Sequence, residues 1–201
     1  MYILFEGIDT CGKTTQIELI SQKFQNVIVT REPGGTEFGK KIRKIALHEN
    51  IASKRAELLL FLADRAEHYK EIIEPNKDKL VLSDRGFLSG IGYAISNENN
   101  TELNKLIELN KFALYDSLPD FIFLFVTDIN TLKDRIKNKE ETLDKIELRG
   151  LEYLLEVQEN MVKTLRKMDI SYIFVDATQN IEVIHKIIYT KILELRQGYI
   201  T

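Results

Sequence analysis

The sequence lacks the paired cysteines and long apolar runs that mark secreted and membrane proteins. Its one cysteine, Cys11, has no second cysteine with which to form an internal disulfide, which favours a reducing cytoplasm. No apolar run approaches the roughly 20 residues of a membrane span, and no basic-then-apolar leader precedes the first strand. We therefore expect a cytoplasmic protein without a membrane partner.

An excess of positive charge is missing too. Lys and Arg total 28 against 31 Asp and Glu, so the chain has no net basic field for nucleic acid, and we expect no nucleic-acid partner. Prolines are few, and Pro33, Pro75 and Pro119 all fall at predicted element boundaries. Because no repeat, low-complexity tract or linker interrupts the 201 residues, we predict a single domain over 1–201.

What the chain does contain is a series of short apolar runs without the alternation of half-exposed strands. They lie at 2–5, 27–30, 80–83, 121–126 and 172–175. Longer stretches with helical spacing, such as 55–73 and 151–168, lie between them. Strands that alternate with helices predict right-handed crossovers and a parallel sheet covered on both faces, an α/β fold.

A glycine-rich segment, GIDTCGKTT, follows the first apolar run. Its spacing is that of the phosphate-binding P-loop, in which backbone N–H groups turn around phosphate oxygens at the positive N-terminus of a helix. We expect Lys13 to reach the β- and γ-phosphates and the Thr14 hydroxyl to ligate Mg²⁺. A chance match is disfavoured, because the motif lies between a predicted strand and a predicted helix. The segment predicts binding of a nucleoside triphosphate.

Nine consecutive residues make up the predicted triphosphate site. They are Gly7, Ile8, Asp9, Thr10, Cys11, Gly12, Lys13, Thr14 and Thr15. Backbone amides in such a loop favour anions and could lower the pKa of the Cys11 thiol, which would make it reactive. The other interpretation, a small residue that only fills space, stays open. A GTPase is disfavoured, because the segments at 76–79 and 138–141 lack the final Asp of a guanine-binding Asn-Lys-x-Asp motif.

Two further motifs end predicted strands, at the carboxyl edge where open α/β sheets bind ligands. They are VTREPGGTEFGKKIR and VLSDRGFLSGIGYA, with LLLFLADRAEH between them. Together with the P-loop they resemble the thymidylate kinase family, and the resemblance spans nearly the whole chain. It implies the P-loop nucleoside monophosphate kinase fold, a five-stranded parallel sheet flanked by helices, and usually a homodimer. It also implies transfer of the γ-phosphate of ATP to thymidine monophosphate (dTMP), with Mg²⁺.

The resemblance assigns the acceptor phosphate to two arginines. Arg85 would hold it with a planar guanidinium fork, although a surface ion pair with Asp84 is an alternative. Arg43 also matches an acceptor-contacting position, but it stands in a Lys/Arg-rich helix. Asp9 corresponds to an acidic residue near the acceptor sugar and the metal, so Asp9 and Thr14 are the predicted metal ligands.

The resemblance places the acceptor nucleoside against further residues. Phe61 and Arg65 stand four apart on one helical face, where they would stack on thymine and donate to its carbonyl oxygen. The alternative is a core Phe beside a surface Arg. Tyr93 would pack against the deoxyribose, and Glu32 of TREPGGT completes the predicted substrate-binding set.

Three positions depart from the family pattern. Gly86 stands where an aromatic residue usually follows Asp-Arg. Gly90 and Ala94 replace polar residues that contact the thymine edge, and neither side chain forms hydrogen bonds. Recognition of the base by water or by other residues is therefore expected, and selectivity between dTMP and dUMP stays open.

The charged segment 133–149 resembles a mobile lid. Because Thr10 stands where some relatives carry a catalytic arginine in the P-loop, the lid is expected to supply the cation. Arg135 matches a recurrent arginine, whereas Asn138 and Lys145 replace residues that are commonly arginine. The predicted catalytic residues are Asp9, Lys13, Arg85, Arg135 and Lys145.

Two rival functions stay open. In a deoxynucleoside kinase, Asp84 would act as a base toward a 5′-hydroxyl group. TREPGGT and the LDKIE segment favour the nucleotide kinase, since a nucleoside acceptor carries no phosphate to bind. A nucleotide-dependent regulatory protein without turnover is the third possibility.

Overall fold

The computed structural model describes residues 1–98, 102–137 and 149–198. Within these ranges five parallel strands form one sheet in the order β2-β3-β1-β4-β5. They are β1 (Tyr2–Glu6), β2 (Val27–Arg31), β3 (Leu80–Asp84), β4 (Phe121–Val126) and β5 (Tyr172–Asp176). Every predicted run forms a strand, and four of the five strands extend one residue further at their carboxyl ends.

Helices connect the strands. They are α1 (Lys13–Ser21), α2 (Glu37–His48), α3 (Lys54–His68), α4 (Phe87–Asn97), α5 (Leu103–Ala113), α6 (Ile129–Lys137), α7 (Leu151–Leu165) and α8 (Ile181–Gly198). The helix predicted over 55–73 ends as α3 at His68 and continues as a π-helical turn over Tyr69–Ile73. The 151–168 prediction ends three residues early, at Leu165. No helix in the described part of the chain is both long and apolar enough to cross a membrane.

The central strand β1 is buried on both faces, and its side chains alternate between two cores. Leu4 packs into the core that contains α4 and α7. Ile3 and Phe5 pack into the other core, which contains α1 and α8. Both cores cover the middle of the sheet, so the carboxyl ends of β1 and β3 are held rigidly at one edge.

Side-chain caps begin the two helices that border this edge. The Thr36 hydroxyl accepts from the Gly39 N–H at 2.9 Å and starts α2, and Ser53 accepts from the Ala56 N–H at 3.3 Å and starts α3. The segment between β2 and α2 contains a cis peptide bond between Glu32 and Pro33. These elements bring the TREPGGT motif and α3 to the same end of the sheet as the P-loop.

Candidate active site

The loop between β1 and α1 has the backbone of a phosphate-binding P-loop. Gly7 has φ of +140°, and a Cβ atom there would lie 2.7 Å from the carbonyl oxygen of Phe125, so a larger residue would clash with the sheet. Gly12, with φ of +91°, precedes α1, and no side chain caps that helix. The N–H groups of its first turn are therefore free of side-chain competition for a phosphate group.

Lys13 folds back over this loop. It is only 5% exposed, and its Nζ donates to the carbonyl oxygen of Ile8 at 2.7 Å and contacts Cys11 Sγ at 3.5 Å. Cys11 is 1% exposed and belongs to the core beneath the loop. This burial favours the packing interpretation of Cys11 over a reactive thiol.

The Thr14 hydroxyl pairs with a carboxylate that lies on another strand. Its Oγ1 donates to Oδ2 of Asp84 at 2.6 Å, because β1 and β3 are neighbours and both end here. Among the described residues, no three His, Cys, Asp or Glu side chains come together as a metal cage. A hydroxyl and one carboxylate are nevertheless a suitable protein contribution for Mg²⁺, which keeps water and phosphate oxygens as its other ligands.

Arg85, directly after β3, hydrogen-bonds to three residues in or beside the P-loop. It has φ of +70°, and its side chain is 14% exposed. One nitrogen donates to Oδ1 of Asp9 at 2.5 Å, and the other donates to the Gly7 carbonyl oxygen at 2.7 Å and to Ser89 Oγ at 3.1 Å. The close ion pair of Arg85 is therefore with Asp9 in the P-loop, and the surface pair with Asp84 is not what the structure contains.

Asp9 connects this arginine to Tyr93, whose hydroxyl donates to Oδ2 of Asp9 at 3.1 Å. Burial opposes ionisation of Asp9, but the positive charges of Arg85 and Lys13 outweigh it and lower the pKa of Asp9 to about 2. Asp9 is thus an anion at neutral pH, and it fixes the side chains of Arg85 and Tyr93 next to each other.

The sequence motifs do not single out Glu6, a buried carboxylate that lies behind Arg85. Glu6, fully buried, accepts from the N–H groups of Leu88 and Ser89 at 3.0 and 3.2 Å and from the Ser89 hydroxyl. Burial raises the pKa of Glu6, although the bonds to Ser89 oppose the shift. The signal was a charged residue at the end of an apolar strand, directly before the P-loop.

Arg65 lies in a buried polar network, although the sequence allows a surface position for it. Its Nε donates to Oε2 of Glu32 at 2.8 Å and its Nη1 donates to Asn110 Oδ1. The other Glu32 oxygen lies 2.9 Å from His68 Nδ1, and His68 Nε2 lies 2.6 Å from Thr30 Oγ1. Burial raises the pKa of Glu32, but the charge of Arg65 and the hydrogen bond with His68 outweigh burial and lower it. Neither Asn110 nor His68 follows a strand, so sequence position gave no signal for them.

A second carboxylate, Asp64, lies beside this network. Its Oδ1 accepts from the Gly34 N–H at 3.1 Å. Burial, followed by repulsion from Glu32, raises the pKa of Asp64 to about 6, against the opposing hydrogen bond from Gly34. Arg43 fixes the same turn from the other side, donating to the Pro33 carbonyl oxygen at 3.1 Å.

Two adjoining cavities collect the predicted site residues. The P-loop cavity, about 610 Å³, is lined by six of the nine predicted triphosphate residues together with Asp84 and Arg85. The inner pocket, about 80 Å³, is lined by all seven predicted substrate-binding residues. Those seven are Asp9, Glu32, Arg43, Phe61, Arg65, Arg85 and Tyr93. The two cavities are adjacent, because they share the lining residues Asp9, Glu32, Arg43, Leu47 and Arg85.

Arg135 lies on the other side of the P-loop. From α6 its guanidinium donates to the carbonyl oxygen of Thr10 at 3.0 Å and to that of Ala177. A Cβ atom at Gly12 would lie 3.8 Å from Nη1 of Arg135. The guanidinium therefore lies over the loop. Lys145 and Asn138, the other lid residues singled out in the sequence, lie outside the described residues.

Packing explains two of the unusual glycines. A Cβ atom at Gly86 would lie 2.9 Å from a methyl group of Leu4, so the core of the sheet fills that space. At Gly90 a Cβ atom would lie 3.3 Å from both terminal nitrogens of Arg65. The guanidinium of Arg65 thus takes the room that a side chain at position 90 would need.

A parallel sheet in this strand order, with a P-loop after its central strand and a second polar cavity beside it, is the architecture of nucleoside monophosphate kinases. That fold prediction is confirmed.

Comparison with known proteins identifies the family. The thymidylate kinase family model matches residues 5–188. The chain is 61% identical over 190 residues to a thymidylate kinase of Sulfurovum sp. (strain NBC37-1), an alignment that covers 94% of this chain and 98% of the relative. It is 53% identical over 187 residues to one of Campylobacter concisus (92% and 95% covered) and 48% identical over 188 residues to one of Aliarcobacter butzleri (94% and 96%). The chain belongs to the thymidylate kinase family, as its motifs predict.

Proposed function

We propose that the protein transfers the γ-phosphoryl group of ATP to dTMP, which yields ADP and dTDP for dTTP synthesis. The observation that carries this proposal is that Asp9 and Arg85 line both the P-loop cavity and the inner pocket, which places the two cavities side by side. A donor phosphate bound on the loop and an acceptor phosphate bound at Arg85 would meet at that junction. Membership of the thymidylate kinase family supports the same substrates.

On the donor side, ATP would bind with its phosphates against the N–H groups of the P-loop and the start of α1. Lys13 would exchange its bond to the Ile8 carbonyl oxygen for the β- and γ-phosphates. The sequence pairs Asp9 with Thr14 as metal ligands, but Asp84 is the carboxylate that accepts from the Thr14 hydroxyl. We therefore propose that Thr14 and Asp84 would hold Mg²⁺, which would neutralise charge on the donor phosphates.

On the acceptor side, Arg85 would present its guanidinium fork to the dTMP phosphate while Asp9 holds it in place. Arg65, with Nε and Nη1 already bonded, would donate from its remaining nitrogen to a thymine carbonyl. Phe61 would stack on the base, and Tyr93 would contact the sugar. Glu32 acts through Arg65, whose position it fixes.

Catalysis would consist of positioning and charge neutralisation. An oxygen of the ionised dTMP phosphate attacks the γ-phosphorus atom of ATP and the bond to the ADP leaving group breaks, so the acceptor needs no general base. Lys13 and Arg85 would meet the negative charge on the transferring group from two sides. Arg135, held over the loop, is proposed as a third cation, and Lys145 stays a prediction.

We also propose that the chain acts as one domain, in the cytoplasm, as a homodimer. Large apolar side chains on two adjacent helices support the homodimer, since Leu59 on α3 is 59% exposed and Phe112 on α5 is 83% exposed. Sedimentation equilibrium tests this proposal. A monomer at all concentrations up to about 100 μM would exclude a stable dimer.

Coupled ADP release tests the proposed function and separates the three candidate activities. ATP and Mg²⁺ are supplied with dTMP, with thymidine, or with neither acceptor. Release that depends on dTMP alone supports the proposal. Release that depends on thymidine would assign the deoxynucleoside kinase reaction with Asp84 as base, and no acceptor-dependent release would favour a regulatory protein.

A further inference from the structure

Next to the inner pocket lies another cavity that the proposed reaction does not use. This side cavity has a volume of about 400 Å³. The boundary between the side cavity and the inner pocket is formed by three residues that line both, Phe61, Gly90 and Tyr93. Ala94, one helical turn beyond Gly90 on α4, lines the side cavity. Gly90 has no side chain and Ala94 has only a methyl group, so neither residue fills the space on this side of the boundary.

Arg65 fixes which part of an acceptor base would face this boundary. Its guanidinium is held on one side by Glu32 and Asn110, and the position of a Cβ atom at Gly90 lies 3.3 Å from both of its terminal nitrogens. A base carbonyl that accepts from Arg65 must therefore lie near Gly90. The edge of the base that carries this carbonyl faces the boundary with the side cavity.

The side cavity has an apolar wall and a polar end. Leu106 and Leu109 of α5 contribute to the apolar wall. At the polar end the Tyr153 hydroxyl donates to Asn97 Oδ1 at 2.7 Å, and Arg149 donates to Tyr153 at 2.8 Å and to Asn97. These polar groups bond to one another. An apolar group could therefore occupy the cavity without breaking these hydrogen bonds.

We propose that the side cavity accommodates a substituent on N3 of the acceptor base, an inference that rests on the proposed function. In thymine N3 lies between the C2 and C4 carbonyls, so it is next to whichever carbonyl Arg65 binds. At about 30 Å³ per water-sized group, a cavity of about 400 Å³ holds roughly 13 such groups, enough for a benzyl group. The ligand class is therefore thymidine or deoxyuridine 5′-monophosphate with an N3-alkyl or N3-benzyl group.

Titration calorimetry with dTMP and with N3-benzyl-dTMP tests this inference. The quantity compared is the Kd for N3-benzyl-dTMP divided by the Kd for dTMP. Ala94→Gln fills the side cavity from α4, and Leu109→Phe fills it from α5. Neither residue lines the inner pocket. Ala52→Gln is the same Ala-to-Gln substitution at an exposed position that does not line the cavity, and it serves as the control. We expect the ratio to rise at least about tenfold, 1.4 kcal/mol, in both filled variants and to stay unchanged in the control.

A smaller rise in the folded filled variants would overturn the inference, as would a parent protein that does not bind N3-benzyl-dTMP at about 1 mM. If Ala94→Gln does not fold, Leu109→Phe decides. ADP release with dTMP is measured on the same samples. A protein that binds dTMP and its N3-benzyl derivative as expected but releases no ADP would contradict the proposed function and leave the side cavity assignment intact.

Discussion

The two sides of the active site are built in different ways. The donor side consists of one continuous loop whose backbone N–H groups and adjacent helix create the site, with Gly7 and Gly12 in conformations that favour glycine. The acceptor side consists of side chains from separate elements, among which Glu32, Arg65 and Asn110 are up to 78 residues apart and form a buried network. A backbone site depends on few side chains, here chiefly Lys13, whereas a buried side-chain network depends on every member.

Loss of the one cationic side chain on the donor loop should have the largest effect. Lys13→Ala should lower kcat at least about 100-fold, because one positioned cation at a transferring phosphoryl group contributes several kcal/mol. Steady-state kinetics at saturating ATP and dTMP measures the effect. Lys44→Ala, at an exposed position on α2, is the control and should turn over normally. A folded Lys13→Ala that retained more than about a tenth of the parent rate would contradict the donor assignment.

The acceptor network should respond differently. Arg65→Ala should raise the Kd for dTMP about 10- to 100-fold, since a base carbonyl that loses a charged donor costs about 1.5–3 kcal/mol. The affinity for ATP should stay the same, because Arg65 does not line the P-loop cavity. Calorimetric titrations with each nucleotide measure both values. Equal losses for ATP and dTMP would mean that the donor and acceptor sides are one cooperative unit and not two separately built sites.

Asp64 provides a test that uses stability in place of activity. Its folded-state pKa, about 6, lies above the ordinary value of 3.8, so its contribution to stability is fully present below about pH 4 and is lost as pH rises through 6. Asp64→Asn should abolish this loss and gain stability relative to the parent between pH 4 and 7, on the order of 2 kcal/mol. Urea unfolding at several pH values measures it. Parallel pH profiles for parent and variant would show that Asp64 is not destabilised by burial.

Arg135 should show the smallest effect. Arg135→Ala should lower kcat about tenfold, near 1.4 kcal/mol, if the guanidinium over the P-loop meets charge on the transferring group. Lys133→Ala, exposed on the same helix, is the matched control and should leave kcat unchanged. Melting curves confirm the folded fraction. Turnover like that of the parent would assign Arg135 to the structure of the loop, through the Thr10 and Ala177 carbonyl oxygens.

The difference between a donor side built from one loop and an acceptor side built from distant side chains also explains which features could be predicted from the sequence. The P-loop follows from the spacing of adjacent residues, and the strands follow from apolar runs, because both are local patterns. The burial of Arg65 depends on Asn110 and Glu32, which lie far from it in the chain. The local sequence around Arg65 therefore could not show whether it is buried or exposed. Likewise, the pairing of Thr14 with Asp84 follows from the neighbouring positions of β1 and β3, which no local motif specifies.

A single ligand tests the central claim, that the two sides meet at Asp9 and Arg85. An adenosine and a thymidine joined 5′ to 5′ through five phosphates would occupy both cavities at once, and its Kd can be measured by titration calorimetry. We predict one molecule bound per chain with a Kd at least about 100-fold below that of either ATP or dTMP, since the second contact is made without a second loss of translational freedom. A Kd no lower than that of ATP, with dTMP still able to bind, would contradict the claim.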